Sequence, residues 1–143
     1  MASTPHYLPA GLPAPSPTEL DAPFWEGTLA HELRVQRCIS CGHMQFPPEE
    51  LCKRCHAWDP GWTAVAPRGR LTSWTRIWHP VHPALVDHGP YLAVVVTLED
   101  APAIRLVGNL LGDVHVDPPM DAPVEAVFED HDGYTLVQWR LCE

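Results

Sequence analysis

Four cysteines in the first half of the chain form two Cys-x-x-Cys pairs. Cys38 and Cys41 make the first pair, Cys52 and Cys55 make the second, and ten residues separate the two pairs. Each pair can direct two sulfurs at one point, and four thiolates complete the tetrahedral shell of a Zn²⁺ ion. Because a closed shell leaves no position for water or substrate, these cysteines predict one structural zinc ion and no catalysis at the metal.

The residues after each cysteine pair also favour a metal site. A metal-binding turn needs a positive φ at this position, which Gly42 provides and which His56 tolerates better than a β-branched residue would. Iron in a rubredoxin-like site is the main alternative to zinc, and a redox-active dithiol ranks behind both metals. The fifth cysteine, Cys142, has no partner in this pattern and is interpreted as incidental.

Three histidines lie among prolines in the segment HPVHPALVDHGP, residues 79–90. No carboxylate stands near them at helical spacing, so a second metal site is the weaker interpretation. An interaction loop is the favoured one, because the segment falls between the first two strands of the barrel predicted below. The residues predicted to contact a partner are Phe24, Trp25, Trp78, His79 and His82.

Catalytic motifs are absent from the sequence, which has no nucleophile elbow, no P-loop and no Gly-x-Gly-x-x-Gly fingerprint. Several acidic residues of the last third cluster in predicted turns, where solvation explains them better than acid–base chemistry. These residues are Glu99, Asp100, Glu129, Asp130 and Asp132. We therefore predict no catalytic residue in this chain and no enzyme activity of the chain alone.

The formal net charge of −9 is unevenly distributed along the chain. Residues 34–76 carry seven of the nine basic side chains, and residues 77–143 carry eleven of the eighteen acidic ones. This acidic part repels nucleic acid, so a single-stranded nucleic-acid binder is the least favoured function. The basic part can meet a phosphorylated small molecule or be merely solvated. The predicted contacts to the phosphates of such a molecule are Arg34, Arg37, Arg68 and Arg70.

Composition divides the chain into four segments. Residues 1–17 contain five prolines, which predicts an extended arm that is either disordered or lies on a surface such as a partner's. Residues 18–33 predict a helix capped by Asp21, residues 34–66 the zinc ribbon, and residues 67–143 a β domain. The chain has no apolar run of roughly 20 residues and no secretory pattern, so a cytoplasmic protein is expected.

Five segments rich in β-branched and aromatic residues follow the ribbon. They are residues 69–79, 91–98, 103–111, 123–130 and 134–141. The sequences EDAP and DHDG have the composition of hairpin turns. Five short strands without a long helical pattern predict a small antiparallel barrel. The expected protein is therefore mostly β, with an N-terminal helix, a rubredoxin-like four-cysteine zinc ribbon and a five-stranded OB-fold barrel.

The order of these motifs resembles one family, the zinc-ribbon and OB-fold proteins catalogued as domain of unknown function thirty-five. The similarity extends from about residue 20 to about residue 140. Its matching stretches are PFWEG (23–27), LRVQRCISCGHMQFPPEELCKRC (33–55), GRLTSWT (69–75), PYLAVVVTLED (90–100) and PVEAVFED (123–130). His56 in place of the usual glycine and the proline-rich arm depart from the family pattern.

The resemblance implies a role that the motifs alone do not indicate. Members of this family look like accessory subunits of thiolase-fold enzymes, including thiolases, acyltransferases and steroid side-chain retro-aldolases, whose catalytic residues belong to the partner. We therefore expect a non-catalytic subunit that supports the partner's assembly and acyl-CoA handling. A stand-alone acyl-CoA-binding module and a subunit of a hydratase-type acyl-CoA enzyme are the alternatives. In the binding module, the four arginines named above would contact the phosphates of CoA.

Overall fold

The computed structural model describes residues 6–143, which form a mostly β protein as predicted. These residues contain an α-helix, a 3-10 helix and two antiparallel sheets. The elements are α1 (Ala22–Leu29), β1 (Leu33–Arg37), β2 (Met44–Gln45), β3 (Gly61–Val65), β4 (Arg68–Ile77), the 3-10 helix (Pro83–Leu85), β5 (Tyr91–Leu98), β6 (Arg105–Asn109), β7 (Pro123–His131) and β8 (Tyr134–Leu141). No helix among these is long and apolar enough to span a bilayer.

The five C-terminal strands form a closed barrel. Their order is β6-β5-β4-β7-β8, and all neighbours in this order are antiparallel. The two outer strands meet where Leu110 forms a parallel bridge with Trp139 and the Leu111 N–H donates to the Trp139 carbonyl at 2.8 Å. A five-stranded antiparallel sheet that closes in this way is an OB-fold, so the predicted fold is confirmed.

Strand β5 of the barrel has the alternating burial that is typical of a strand with one buried face. Along β5, half-buried and buried residues alternate from Tyr91 to Leu98, which is the pattern of a strand with one face on a core.

β7 and β8 join through a two-residue turn of Asp132 and Gly133. Gly133 has a φ of 84°, which suits a tight hairpin turn. The DHDG hairpin is therefore confirmed.

The N-terminal helix is shorter than the helix predicted over residues 18–33. It ends early because His31 takes a φ of 57° and the Glu32 N–H donates to the Gly27 carbonyl at 2.8 Å. These features make a Schellman C-cap, which stops the helix and turns the chain into β1. Asp21 stands at the N-cap position, but its carboxylate accepts hydrogen bonds from a threonine three residues earlier and makes no capping bond to the helix.

Ribbon and barrel share one hydrophobic core. Leu33 and Val35 of β1 and Val65 of β3 belong to the same buried cluster as Trp139 of the barrel. Phe24 of α1 is half-buried and packs against this cluster. Continuous apolar packing therefore fixes the position of the metal-binding ribbon relative to the barrel.

The N-terminal arm lies against the barrel of its own chain from residue 6 onward. The backbone N–H groups of Tyr7 and Leu8 donate to the carboxylate of Glu129 on β7, and His88 Nε2 lies 2.9 Å from the Tyr7 carbonyl oxygen. The described part of the arm is therefore bound to a surface, and the surface is this chain's own. Residues 1–5 of the predicted arm lie outside the described residues.

Candidate functional site

Two backbone turns of the same design hold the four cysteines. In the first turn the Gly42 N–H donates to the Cys38 carbonyl at 2.8 Å, and in the second the His56 N–H donates to the Cys52 carbonyl at 2.9 Å. The φ angles of Gly42 and His56 are 76° and 64°. The two predicted turns are confirmed, and His56 adopts the left-handed geometry expected of it.

The four cysteine sulfurs converge on one point. All four Sγ atoms lie within 4.8 Å of one another. The Sγ atoms of Cys38 and Cys55 are 3.5 Å apart, and those of Cys41 and Cys52 are 3.7 Å apart. Thiolates at the usual Zn–S distance of about 2.3 Å stand roughly 3.8 Å from one another in a tetrahedron. The cysteines are therefore positioned to bind one zinc ion.

The backbone favours the thiolate form at the first cysteine of each turn. A hydrogen bond from the Cys41 backbone N–H lowers the pKa of the Cys38 thiol to about 6. The Cys55 backbone N–H likewise lowers the pKa of Cys52. Because the thiolate is the metal-binding form, these amides favour metal binding at Cys38 and Cys52.

Two buried glutamines connect the segments that carry the two metal-binding turns, and no sequence pattern predicted them. Gln45 on β2 donates through Nε2 to Oε1 of Gln36 on β1 at 2.9 Å. Gln36 bonds both the N–H and the carbonyl of Glu49, each at 2.9 Å, and Gln45 accepts from the Lys53 N–H at 2.9 Å. The pair therefore ties the segment leading into the second turn to the first. No pattern in the sequence of β1, LRVQR, sets Gln36 apart as buried.

Two of the three histidines of the 79–90 loop, His82 and His88, contact groups of this chain. His82 Nδ1 accepts from the Ala84 N–H at 3.1 Å and caps the 3-10 helix, whereas His88 contacts Tyr7 of the arm. Within the described residues, the four cysteines are the one group of three or more metal-binding side chains that converges. The loop's role in contacting a partner stays a prediction.

The residues predicted to contact a partner lie in two separate places. Phe24 and Trp25 meet edge to face, with ring centroids 5.1 Å apart, and both line a cavity beside the barrel. Trp78 is 65% exposed and contacts the ring of His115 at a centroid distance of 6.2 Å. His79 is exposed beside it. Trp78 and His79 therefore have more free surface for a partner than Phe24, which packs against the core.

The cavity beside the barrel has a volume of about 750 Å³, which is within the range of ligand-binding cavities. Its walls come from α1, from Phe46 and from the outer faces of β6 and β8, where Val107 and Val137 contribute apolar surface. Leu8 of the N-terminal arm is part of the same wall. The arm therefore helps to enclose this cavity.

Three of the four arginines predicted to meet CoA phosphates have acidic partners. The pairs are Arg34–Glu32 at 2.9 Å, Arg68–Glu99 at 3.6 Å and Arg70–Asp121 at 4.0 Å. Arg37 is exposed and has no ion pair within the described residues. Exposed ion pairs contribute little free energy, so these pairs leave the arginines able to exchange partners. Contact with phosphate stays a prediction.

The prediction of a solvated carboxylate is wrong for Glu129. The residue is 1% exposed. Its Oε2 lies 2.8 Å from His131 Nε2, and its Oε1 accepts from the amides of Tyr7 and Leu8. The cause is the arm, which covers this face of the barrel. The other four acidic turn residues are exposed, as predicted.

Two family models match the chain from the helix to β7. Residues 25–59 match the ChsH2 rubredoxin-like zinc ribbon domain. Residues 62–129 match the ChsH2 C-terminal OB-fold domain. The first match contains all four metal-binding cysteines, and the second contains most of the barrel.

Two curated relatives are hydratase subunits. The probable enoyl-CoA hydratase alpha subunit of Thermomonospora curvata is 34% identical over 93 residues, which are 64% of this chain and 28% of that protein. The 3-oxo-4,17-pregnadiene-20-carboxyl-CoA hydratase alpha subunit of Mycobacterium tuberculosis is 28% identical over 150 residues, covering 94% of this chain and 46% of that protein. The chain therefore spans less than half the length of either relative.

Two solved structures share the architecture. A chain of the Ltp2-ChsH2(DUF35) aldolase is 29% identical, with a TM-score of 0.79, and the match covers 90% of this chain and 98% of that chain. A DUF35 protein from Sulfolobus solfataricus is 14% identical, with a TM-score of 0.62 over 87% of this chain and 86% of that chain, which shows the fold alone. The resemblance expected from the motifs is confirmed. The chain belongs to the ChsH2-type family of zinc-ribbon and OB-fold proteins.

Proposed function

We propose that the chain is a non-catalytic accessory subunit of a thiolase-fold acyl-CoA enzyme, of the thiolase, acyltransferase or steroid side-chain retro-aldolase type. The observation that carries this proposal is the likeness to a chain of the Ltp2-ChsH2 aldolase, which extends over 98% of that chain at a TM-score of 0.79. The proposed partner is accordingly a thiolase-fold subunit, with acyl-CoA handled at or near the interface.

The chemistry of the described residues supports an accessory role better than a catalytic one. Four thiolates would complete the tetrahedral shell of a bound zinc ion and would leave no open position on it. The buried carboxylate of Glu129 is occupied on both oxygens by donors of this chain, namely His131 and the arm amides. A group so occupied is poorly placed to exchange a proton with a substrate.

Exposed apolar side chains at the 79–90 loop supply the proposed contact surface. Trp78, Val81 and Val86 are each more than half exposed, as is Val116 on the segment that carries the ring partner of Trp78. Where exposed apolar side chains adjoin, they form a patch of the kind that marks interaction sites. Large aromatic residues contribute most to binding at such interfaces, so Trp78 is the proposed anchor.

Affinity purification of the tagged protein from its own host, followed by native mass spectrometry, tests the proposal. We expect a thiolase-fold subunit in fixed ratio with a zinc-bearing copy of this chain. Trp78→Ala should weaken this complex without loss of zinc. Trp58→Ala is the matched control, because Trp58 is 68% exposed and lies on the ribbon. A chain that carries zinc but no partner would overturn the accessory-subunit proposal.

A subunit of a hydratase-type acyl-CoA enzyme is the second candidate. The two hydratase alpha subunits among the relatives favour it. The same purification separates the candidates, since a hydratase-fold partner in fixed ratio would select the second. Calorimetric titration of the isolated chain with CoA tests the stand-alone binding module. Heat that disappears in Arg37→Ala would support that alternative.

We further propose that this complex is cytoplasmic. All five cysteines of the chain are free of disulfide bonds in the structure. Four reduced thiols are what a four-cysteine zinc site requires, and reducing compartments keep them available. Localisation of a fluorescent fusion in the native host tests this point.

A further inference from the structure

The first described residues of the chain are held by a buried carboxylate on the barrel. Oε1 of Glu129 accepts from the N–H groups of both Tyr7 and Leu8, and Oε2 lies 2.8 Å from His131 Nε2. The side chain of Glu129 is 2% exposed. A buried carboxylate requires hydrogen-bond donors around it. The arm amides are two of the donors that meet this requirement, so barrel and arm depend on each other.

Aromatic stacking holds the same arm residues from a second side. The ring of His6 stacks on His131 at a centroid distance of 4.1 Å, and His131 stacks on Tyr134 at 4.8 Å. These three rings form a column from the arm to the β7–β8 hairpin. The hydrogen bonds to Glu129 hold the backbone of the arm, and the column of rings holds the side chain of His6.

The arm also contacts the 79–90 loop, which lies far from the hairpin in sequence. His88 Nε2 is 2.9 Å from the Tyr7 carbonyl oxygen, and the rings of Tyr7 and His88 meet edge to face at 5.7 Å. Farther along the arm, a Cβ added at Gly11 would lie 3.6 Å from the Cβ of Ala84. The arm therefore bridges the hairpin and the loop.

We propose that residues 6–12 form a latch, and that seating of the latch on Glu129 sets the position of the 79–90 loop and completes the wall of the cavity beside the barrel. The Leu8 N–H donates to Glu129, and Leu8 also lines that cavity. The Tyr7 N–H donates to Glu129, and Tyr7 also contacts His88. Release of the arm from Glu129 therefore removes Leu8 from the cavity wall. The same release removes the contact of Tyr7 with His88 that supports the loop. The latch belongs to this chain alone, so it goes beyond the proposed partner and is tested without it.

Hydrogen–deuterium exchange on the zinc-loaded chain tests the latch. Glu129→Gln keeps the shape of the side chain but removes the charge that strengthens its hydrogen bonds. We expect exchange to accelerate about tenfold both in the arm and at the loop amides of Leu85 and His88. Glu125→Gln is the matched control on the same strand, because Glu125 is partly exposed and pairs with Arg140 at 2.7 Å. This control should leave both segments unchanged.

Two further variants test the latch by changing the arm or the loop instead of Glu129. Deletion of residues 1–12 touches no member of the buried core cluster, so it tests the proposal even where Glu129→Gln fails to fold. The deletion should accelerate exchange at the loop by a similar factor. Conversely, His88→Ala should accelerate exchange of the Tyr7 and Leu8 amides. Loop exchange that is unchanged by the deletion would overturn the proposal, as would an arm that loosens in Glu129→Gln while the loop does not.

Discussion

Gly42 and His56 occupy the same position in the two metal-binding turns and share left-handed backbone geometry, with φ angles of 76° and 64°. A side chain in this region costs roughly 1–2 kcal/mol, and glycine avoids that cost. We expect His56→Gly to raise the free energy of unfolding by up to about 1 kcal/mol and His56→Val to lower it by about 1–2 kcal/mol. Chemical denaturation at saturating zinc measures both. A valine variant as stable as the wild type would contradict this account of the turn.

Loss of one metal-binding cysteine should remove zinc and most of the ribbon's stability. In zinc-binding peptides the metal contributes on the order of 10 kcal/mol of folding free energy. We expect Cys38→Ser and Cys55→Ser to lose the zinc ion and to unfold the ribbon, as measured by metal analysis and circular dichroism. Cys142→Ser is the matched control, because that thiol lies outside the cluster, and it should keep one zinc per chain. A folded, metal-free Cys38→Ser protein would refute the structural role of the metal.

Strand β4 approaches β5 too closely at Gly69 for any side chain. A Cβ added there would lie 2.1 Å from the Thr97 carbonyl oxygen, which is backbone and cannot rotate away. We expect Gly69→Ala to lower the free energy of unfolding by about 1–3 kcal/mol, as for other overpacked sites. Ser73→Ala, at an exposed position of the same strand, should change it by less than about 0.5 kcal/mol. Equal denaturation midpoints for the two variants would show that the strands separate at no cost.

The barrel and the metal site were predictable because local patterns determine them. Two Cys-x-x-Cys pairs bring four sulfurs together through short turns, whose geometry depends on few residues. Buried and more exposed residues alternate along β4 and β5, and hairpin signals separate several of the barrel strands. For example, the predicted strand 91–98 coincides with β5, Tyr91–Leu98. Such patterns fix both the element and the face that it buries.

The features that the sequence did not predict depend on contacts between distant parts of the chain. Burial of Glu129 requires Tyr7 and Leu8, which are more than 120 residues away in sequence. The Gln36–Gln45 pair needs the pairing register of β1 and β2. Helix α1 ends early because His31 adopts left-handed backbone geometry. The sequence has no glycine at this position that would signal it. A single sequence contains no direct signal for such long-range polar contacts.

Asp130 should make the stability of the folded protein depend on pH. Hydrogen bonds from the Thr135 hydroxyl and from His31 hold the pKa of this carboxyl below its ordinary range. A folded-state pKa below the unfolded one favours the ionised carboxylate in the folded protein. The resulting stability is fully present above the ordinary pKa of about 4, and it is lost as pH falls through the lower folded-state pKa.

Asp130→Asn should therefore destabilise the protein most at neutral pH, and the gap between variant and wild type should narrow as pH falls toward about 4 and below. Thermal unfolding midpoints of both proteins between about pH 7 and about pH 2 measure this gap, because the change is expected below about pH 4. Acid also releases zinc, because the thiolates take up protons, but this loss affects both proteins equally and cancels in the difference. Asp132→Asn, in the turn two residues after Asp130 and exposed, is the matched control and should follow the wild type. A gap for Asp130→Asn that stays constant or widens in acid would show that its hydrogen bonds do not favour the ionised form.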